Sequence, residues 1–187
     1  MANMASVAYA IEGPEGTLQR INRAIIKATK NTDDKRWTEY IVCDYLGIPY
    51  NEEEIRLGGE INDFEISNGV LRIFAEERWG LQDFNTLLEQ KFPDIKVYWI
   101  VEESGCVVYA TNDKEGKYFP DRFYVDTCIN GNYQANYLTK EEDVFKWLSK
   151  LTDGKVTTFE DVDAFNEETE DKCDENFISI HEYKVME

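Results

Sequence analysis

An α+β fold follows from three features of the chain. Short segments alternate apolar and polar residues, segments between them carry apolar residues at helical spacing, and the order of the two kinds is distinctive. Ser6 to Ile11 reads as a first strand, stopped by Gly13-Pro14-Glu15-Gly16. From Thr17 to Lys30, Leu18, Ile21, Ala24, Ile25 and Ala28 share one helical face, with Pro14 before the start and Lys27 and Lys30 near the end. Trp37 to Leu46 forms a shorter helix, ended by Gly47-Ile48-Pro49. Ile61–Ser67 and Val70–Glu76 form a hairpin around Asn68-Gly69, a favoured tight turn. Leu81 to Phe92 returns to helical spacing, and Pro93 ends it. Ile95 to Glu102 is a strand whose alternation sets Tyr98 and Ile100 on one face and Val97, Trp99 and Val101 on the other.

Up to Glu102 the order is strand, helix, short helix, hairpin, helix, strand. This is the β-α-β-β-α-β sequence of a ferredoxin-like unit, with helices on one face of an antiparallel sheet. Cys106–Thr111 and Phe123–Ile129 continue as strands and are expected to extend that sheet as a meander. Thr139-Lys140-Glu141-Glu142 has the form of a capping box opening a helix to Leu151. Thr158–Phe165 is a second short helix, and Ile178–Ile180 lies in a last strand. The expected division is a ferredoxin-like domain with its sheet extension over residues 1–130. An acidic helical extension with a final strand, packed on that domain, covers residues 131–187.

The chain has 187 residues and a net charge of −18, from 38 acidic against 20 basic side chains. Such a field repels phosphate backbones and anionic membrane surfaces, so neither nucleic acid nor membrane is an expected partner. The hydrophobic fraction of 42% is enough for a folded core. Met1 to Ile11 lacks a basic stretch followed by a long apolar run, and no segment reads as a membrane span. The four cysteines form no CxxC pair, which suits reduced thiols in a cytoplasmic protein.

Catalytic and metal-binding patterns are poorly represented. His181 is the sole histidine, in a strand-like segment where a structural role is expected. The acidic run after Glu160 departs from a calcium loop, because Phe165 occupies a ligand position and no turn glycine follows. Gly13-Pro14-Glu15-Gly16 and Leu57-Gly58-Gly59-Glu60 lack the Gly-Lys-Ser/Thr ending of a phosphate loop. No catalytic residue, metal site or cofactor is assigned.

Three stretches resemble the YubB-type ferredoxin-like proteins of plasmids and phages. They are Met1-Ala2-Asn3 with a short strand ending in Glu12-Gly13, Gly69–Phe74 through Trp79 to Lys91-Phe92-Pro93-Asp94-Ile95, and Glu102-Glu103-Ser104-Gly105 with the strand from Cys106 to Ala110. The resemblance covers roughly the first 125 residues. Met4-Ala5 stands where family members carry Trp-Cys, and Gly80-Leu81 where they carry prolines. It implies the ferredoxin-like fold and an accessory role in a mobile element, and it carries over no functional residue.

The functional expectation is therefore a non-catalytic protein that docks on a basic nucleic-acid-binding host protein, such as a nuclease, in the manner of an anti-CRISPR or anti-restriction inhibitor mimicking nucleic acid. Two contact surfaces are expected. One is acidic: Glu160, Asp161, Asp163, Glu167, Glu168, Glu170 and Asp171. The other is the loop bearing Tyr118, Phe119 and Arg122. The alternatives are an acidic, metal-assisted enzyme and a nucleic-acid-binding ferredoxin-like module.

Overall fold

The computed structural model describes residues 3–51, 54–169 and 176–186. The chain is α+β and forms two compact units: Met1–Lys114 with Val185–Glu187, and Glu115–Lys184. Residue 130, the expected limit of the first domain, lies inside a hairpin of the second unit.

In the first unit, β1 (Met4–Glu12) leads to α1 (Glu15–Thr29) and α2 (Thr38–Leu46). The hairpin β2 (Gly59–Ser67) and β3 (Val70–Arg78) follows, then α3 (Phe84–Lys91), β4 (Lys96–Glu103) and β5 (Val108–Thr111). The sheet order is β2-β3-β1-β4-β5, followed at the edge by the two-residue strand β9 (Lys184–Val185), and the first four neighbouring pairs are antiparallel. The strands β1 to β4 have the ferredoxin-like arrangement expected from their sequence order, and β5 and β9 extend it.

Alternation selects the buried face. Ala5, Val7, Tyr9 and Ile11 of β1 meet Leu71, Ile73 and Ala75 of β3 and Val97, Trp99 and Val101 of β4 in one core. α1 closes it with Leu18, Ile21, Ala24, Ile25 and Ala28, the stripe legible in the sequence. α2 ends at Gly47, whose φ of 64° is left-handed. There Ile48 N–H reaches Cys43 O at 2.9 Å, a C-terminal cap that glycine adopts without a Cβ clash.

α3 starts later than the periodicity of residues 81–92 predicts. Gln82 is held by the end of β3: its N–H donates to Glu77 Oε2 at 2.6 Å and its side-chain amide to the carbonyls of Arg78 and Gly80. These bonds hold the chain in a turn until Asp83.

In the second unit, β6 (Phe123–Ile129) pairs with β7 (Asn132–Leu138) on one side and β8 (Phe177–Glu182) on the other. β6 therefore belongs to a separate three-stranded sheet rather than to a meander with β4 and β5. α4 (Glu141–Leu151) and α5 (Phe159–Glu168) supply Val144, Leu148 and Val162 to a core with Phe123, Val125, Val156 and Ile178. β7 is absent from the sequence expectation. Its signal was Asn130-Gly131, the same tight-turn pair that marks the first hairpin, with φ of 51° and 76°.

The capping box also moves. α4 starts after Lys140, which makes no side-chain cap, so Thr139 does not close it. α5 has the box instead: Asp161 N–H donates to Thr158 Oγ1 at 3.2 Å, while Asp161 Oδ2 accepts from Thr158 N–H at 3.0 Å. Thr158→Ala should therefore cost about 1 kcal/mol, read as a lower urea midpoint with an unchanged slope.

Candidate functional site

The residues expected to bind a partner are dispersed. Glu160, Asp163, Glu167 and Glu168 are exposed on α5. Asp161 is engaged in the helix cap, and hydrogen bonds from Thr157 and Thr158 hold its carboxyl below the usual range. Glu170 and Asp171 lie outside the described residues. Tyr118, Phe119 and Arg122 are half-buried. Arg122 Nη1 donates to the carbonyls of Phe119 at 2.8 Å and Asp121 at 3.0 Å, so this guanidinium secures its own loop.

A different surface concentrates functional side chains. Opposite the α4–α5 core, the sheet of β7, β6 and β8 carries three cross-strand rows. Tyr137, Tyr124 and His181 form the first, Ala135, Asp126 and Ser179 the second, and Tyr133, Cys128 and Phe177 the third. Strand pleating makes these nine residues one face, because partners directly across an antiparallel ladder point the same way. Tyr133 is 60% exposed and Tyr137 48%, so the face is open at β7.

The rings contact one another. Tyr124 lies 5.0 Å from Tyr137 and stacks on His181 at 6.0 Å with planes 17° apart. Tyr133 meets Phe177 at 6.4 Å. A hydrogen bond to Tyr133, followed by burial, holds the Tyr124 phenol above its usual range. Asp126 Oδ1 is buried, accepts no hydrogen bond among the described residues, and sits 3.4 Å from His181 Nε2. Neighbouring clefts of about 460 and 350 Å³ adjoin the turn end, and Ile129, Asn130 and Leu151 line both.

Ser179, His181 and Asp126 are the residue types of a nucleophilic triad. They do not form its hydrogen-bond chain here. The imidazole meets Asp126 through Nε2, and Ser179 makes no side-chain hydrogen bond among the described residues. Nor does any group of three or more His, Cys, Asp or Glu side chains among the described residues converge to hold a metal ion. The described cysteines, Cys43, Cys106 and Cys128, are free thiols, and no described helix is long and apolar enough to cross a membrane.

The first unit holds a second unusual group. Glu39 on α2 and Glu77 on β3 are both fully buried, beside Tyr9. Glu39 Oε2 accepts from the N–H groups of Gly58 at 3.2 Å and Gly59 at 2.9 Å, and its Oε1 accepts from no donor among the described residues. Glu77 accepts from the Tyr9 hydroxyl and from Gln82 N–H. Burial, then the Glu77 charge, pushes the Glu39 carboxyl well above the usual range. Burial raises Glu77 too, but hydrogen bonds from Tyr9, Glu39 and Gln82 oppose it. Burial of two neighbouring carboxyls therefore favours the neutral form at this pair, most strongly at Glu39. Sequence reading missed it because two glutamates 38 positions apart, in a chain with 38 acidic residues, carry no mark of burial.

No family model matches the chain. It is similar to three proteins named cytochrome c-type biogenesis protein CcmE. The protein of Wolbachia pipientis subsp. Culex pipiens (strain wPip) is 29% identical over 101 residues, covering 54% of this chain and 70% of the relative. That of Wolbachia pipientis wMel is 27% identical over 101 residues, covering the same shares. That of Wolbachia sp. subsp. Brugia malayi (strain TRS) is 24% identical over 102 residues, covering 54% and 72%. These similarities overturn the expectation of a phage or mobile-element inhibitor docking on a basic nuclease or other nucleic-acid-binding host protein. The acidic run invited that reading, yet a central member of it, Asp161, serves a helix terminus. The similarities connect the chain instead with proteins named for cytochrome c-type biogenesis.

Proposed function

We propose that this chain is a non-catalytic binding protein in the assembly of c-type cytochromes, and that it binds through the ring-lined face of β6, β7 and β8. The observation that carries the reading is the setting of the sole histidine: His181 stacked on Tyr124, against Asp126, in a face whose outer rings are open to solvent. The names of the three relatives supply the biological context.

A c-type cytochrome holds haem at a Cys-x-x-Cys-His motif, so its assembly handles a flat, largely apolar macrocycle. Offset aromatic rings suit a flat ligand, and imidazole is a ligand type that haem iron accepts. The carboxylates of haem meet an acidic field, so contact energy has to come from the rings, and added salt should strengthen binding.

Titrating the purified chain with ferric haem should shift the Soret band. His181→Ala should weaken binding by about tenfold or more, the scale of a lost iron ligand or its close support, and Tyr133→Ala should weaken it less. Absence of any Soret shift sinks the haem reading. Labelling of Ser179 by a fluorophosphonate would overturn the non-catalytic part.

A further inference from the structure

β7 ends its sheet, and among the described residues no strand pairs with its outer side. An open edge normally carries a safeguard such as a lysine, a proline or a bulge. β7 (Asn-Tyr-Gln-Ala-Asn-Tyr-Leu) has none of these. It lies within residues 127–139, thirteen residues without a charged side chain and the longest such stretch in a chain that is 31% charged. Asn132, Tyr133, Gln134 and Ala135 are all exposed.

The strand is also close to symmetric about its centre. Counting outward from Ala135, Gln134 matches Asn136 and Tyr133 matches Tyr137. The hairpin register directs the backbone groups of Asn132, Gln134, Asn136 and Leu138 towards β6, since Ile129 and Asn132 close the two-residue turn. Tyr133 and Ala135 therefore present their N–H and C=O groups outward.

We infer that the outer edge of β7 pairs antiparallel with β7 of a second copy of this chain, about a two-fold axis at Ala135. In that register Ala135 faces Ala135 of the other copy, Tyr133 faces Tyr137, and Gln134 faces Asn136. Each element of the match is self-complementary: small against small, ring against ring, amide against amide. Charge favours this occupant over a basic segment, because the edge offers no carboxylate to one. The two sheets become continuous, and the tyrosine faces of both copies join on one side. This assembly is independent of the haem reading, because it uses the edge of β7 rather than the face around His181.

Two chains of net charge −18 repel each other, so the dimer should strengthen with salt. In sedimentation velocity at about 200 µM chain, raising NaCl from about 50 mM to about 500 mM should increase the dimer fraction severalfold. Ala135→Lys sets two ammonium groups face to face on the axis and should leave monomer at both salt levels. Ala135→Ser should still dimerise. Position 135 is exposed, so both variants should keep the parent circular dichroism spectrum. A parent chain that stays monomeric at high salt overturns the inference, as does an Ala135→Lys variant that dimerises as well as the parent.

Discussion

Glu77→Gln should lower stability by about 2 kcal/mol, while Glu39→Gln should be neutral at pH 5 and stabilising at pH 8. The asymmetry comes from the donors around each carboxyl group. Glu77 accepts from the Tyr9 hydroxyl and from Gln82 N–H. An amide at position 77 turns an NH₂ towards one of these donors and leaves a buried donor unsatisfied. Burial favours the neutral form of Glu39. A glutamine there accepts from Gly58 and Gly59 through its oxygen and is neutral at every pH.

The pH dependence has a definite sign. The Glu39 carboxyl is raised in the folded state, so it contributes stability that is fully present below its ordinary value of 4.5. That contribution is lost as pH rises towards the folded-state value, by at most about 1.4 kcal/mol per pH unit for one proton. The melting temperature of the parent chain should fall between about pH 5 and about pH 8, and Glu39→Gln should flatten that slope. Asp34 and Asp161 do not interfere. Their carboxyls are lowered from 3.8, so their contributions are lost only at more acid pH. A parent melting temperature that rises across this window would refute the raised Glu39 carboxyl.

Gly59→Ala should be the most damaging single-methyl change in the first unit, at about 3 kcal/mol. A Cβ at Gly59 would fall against the Glu39 carboxyl group and within 2.8 Å of Oε2. That group has nowhere to swing, because the Gly58 and Gly59 N–H groups and Glu77 hold it. Gly59→Ala should therefore also remove the pH slope, because it separates the two carboxyls. Gly16, in the first turn of α1, is the matched control, since a Cβ there meets nothing within 4 Å. Gly16→Ala should raise stability by up to about 1 kcal/mol, as a helix position gains from losing glycine's freedom. Urea midpoints of the two variants, compared at pH 6 and pH 8, check both statements.

Much of the first unit was legible because its signals are local. The α1 stripe from Leu18 to Ala28, the Asn68-Gly69 turn and the alternation of Val97, Trp99 and Val101 each report one element without reference to another. The second unit was harder to read. β7 alternates Asn132, Gln134 and Asn136 with Tyr133, Ala135 and Tyr137 but holds no Val, Ile or Thr, so it is marked mainly by its turn. The sequence marked a capping box at Thr139, whereas the backbone geometry leaves α4 without a side-chain cap and places the box at Thr158 of α5.

The sequence by itself determined the α+β class, the β-α-β-β-α-β order, the acidic field and the scarcity of histidine. Those are properties of short windows or of totals, and local pattern and composition suffice for them. Only the tertiary structure decided that Asp126, Tyr124 and His181 share a face, that β6 leaves the first sheet for a second, and that Glu39 and Glu77 meet in the core beside Tyr9. Each of these depends on which strands pair and in what register. Register brings together residues far apart in the chain, and no single window of the sequence records it.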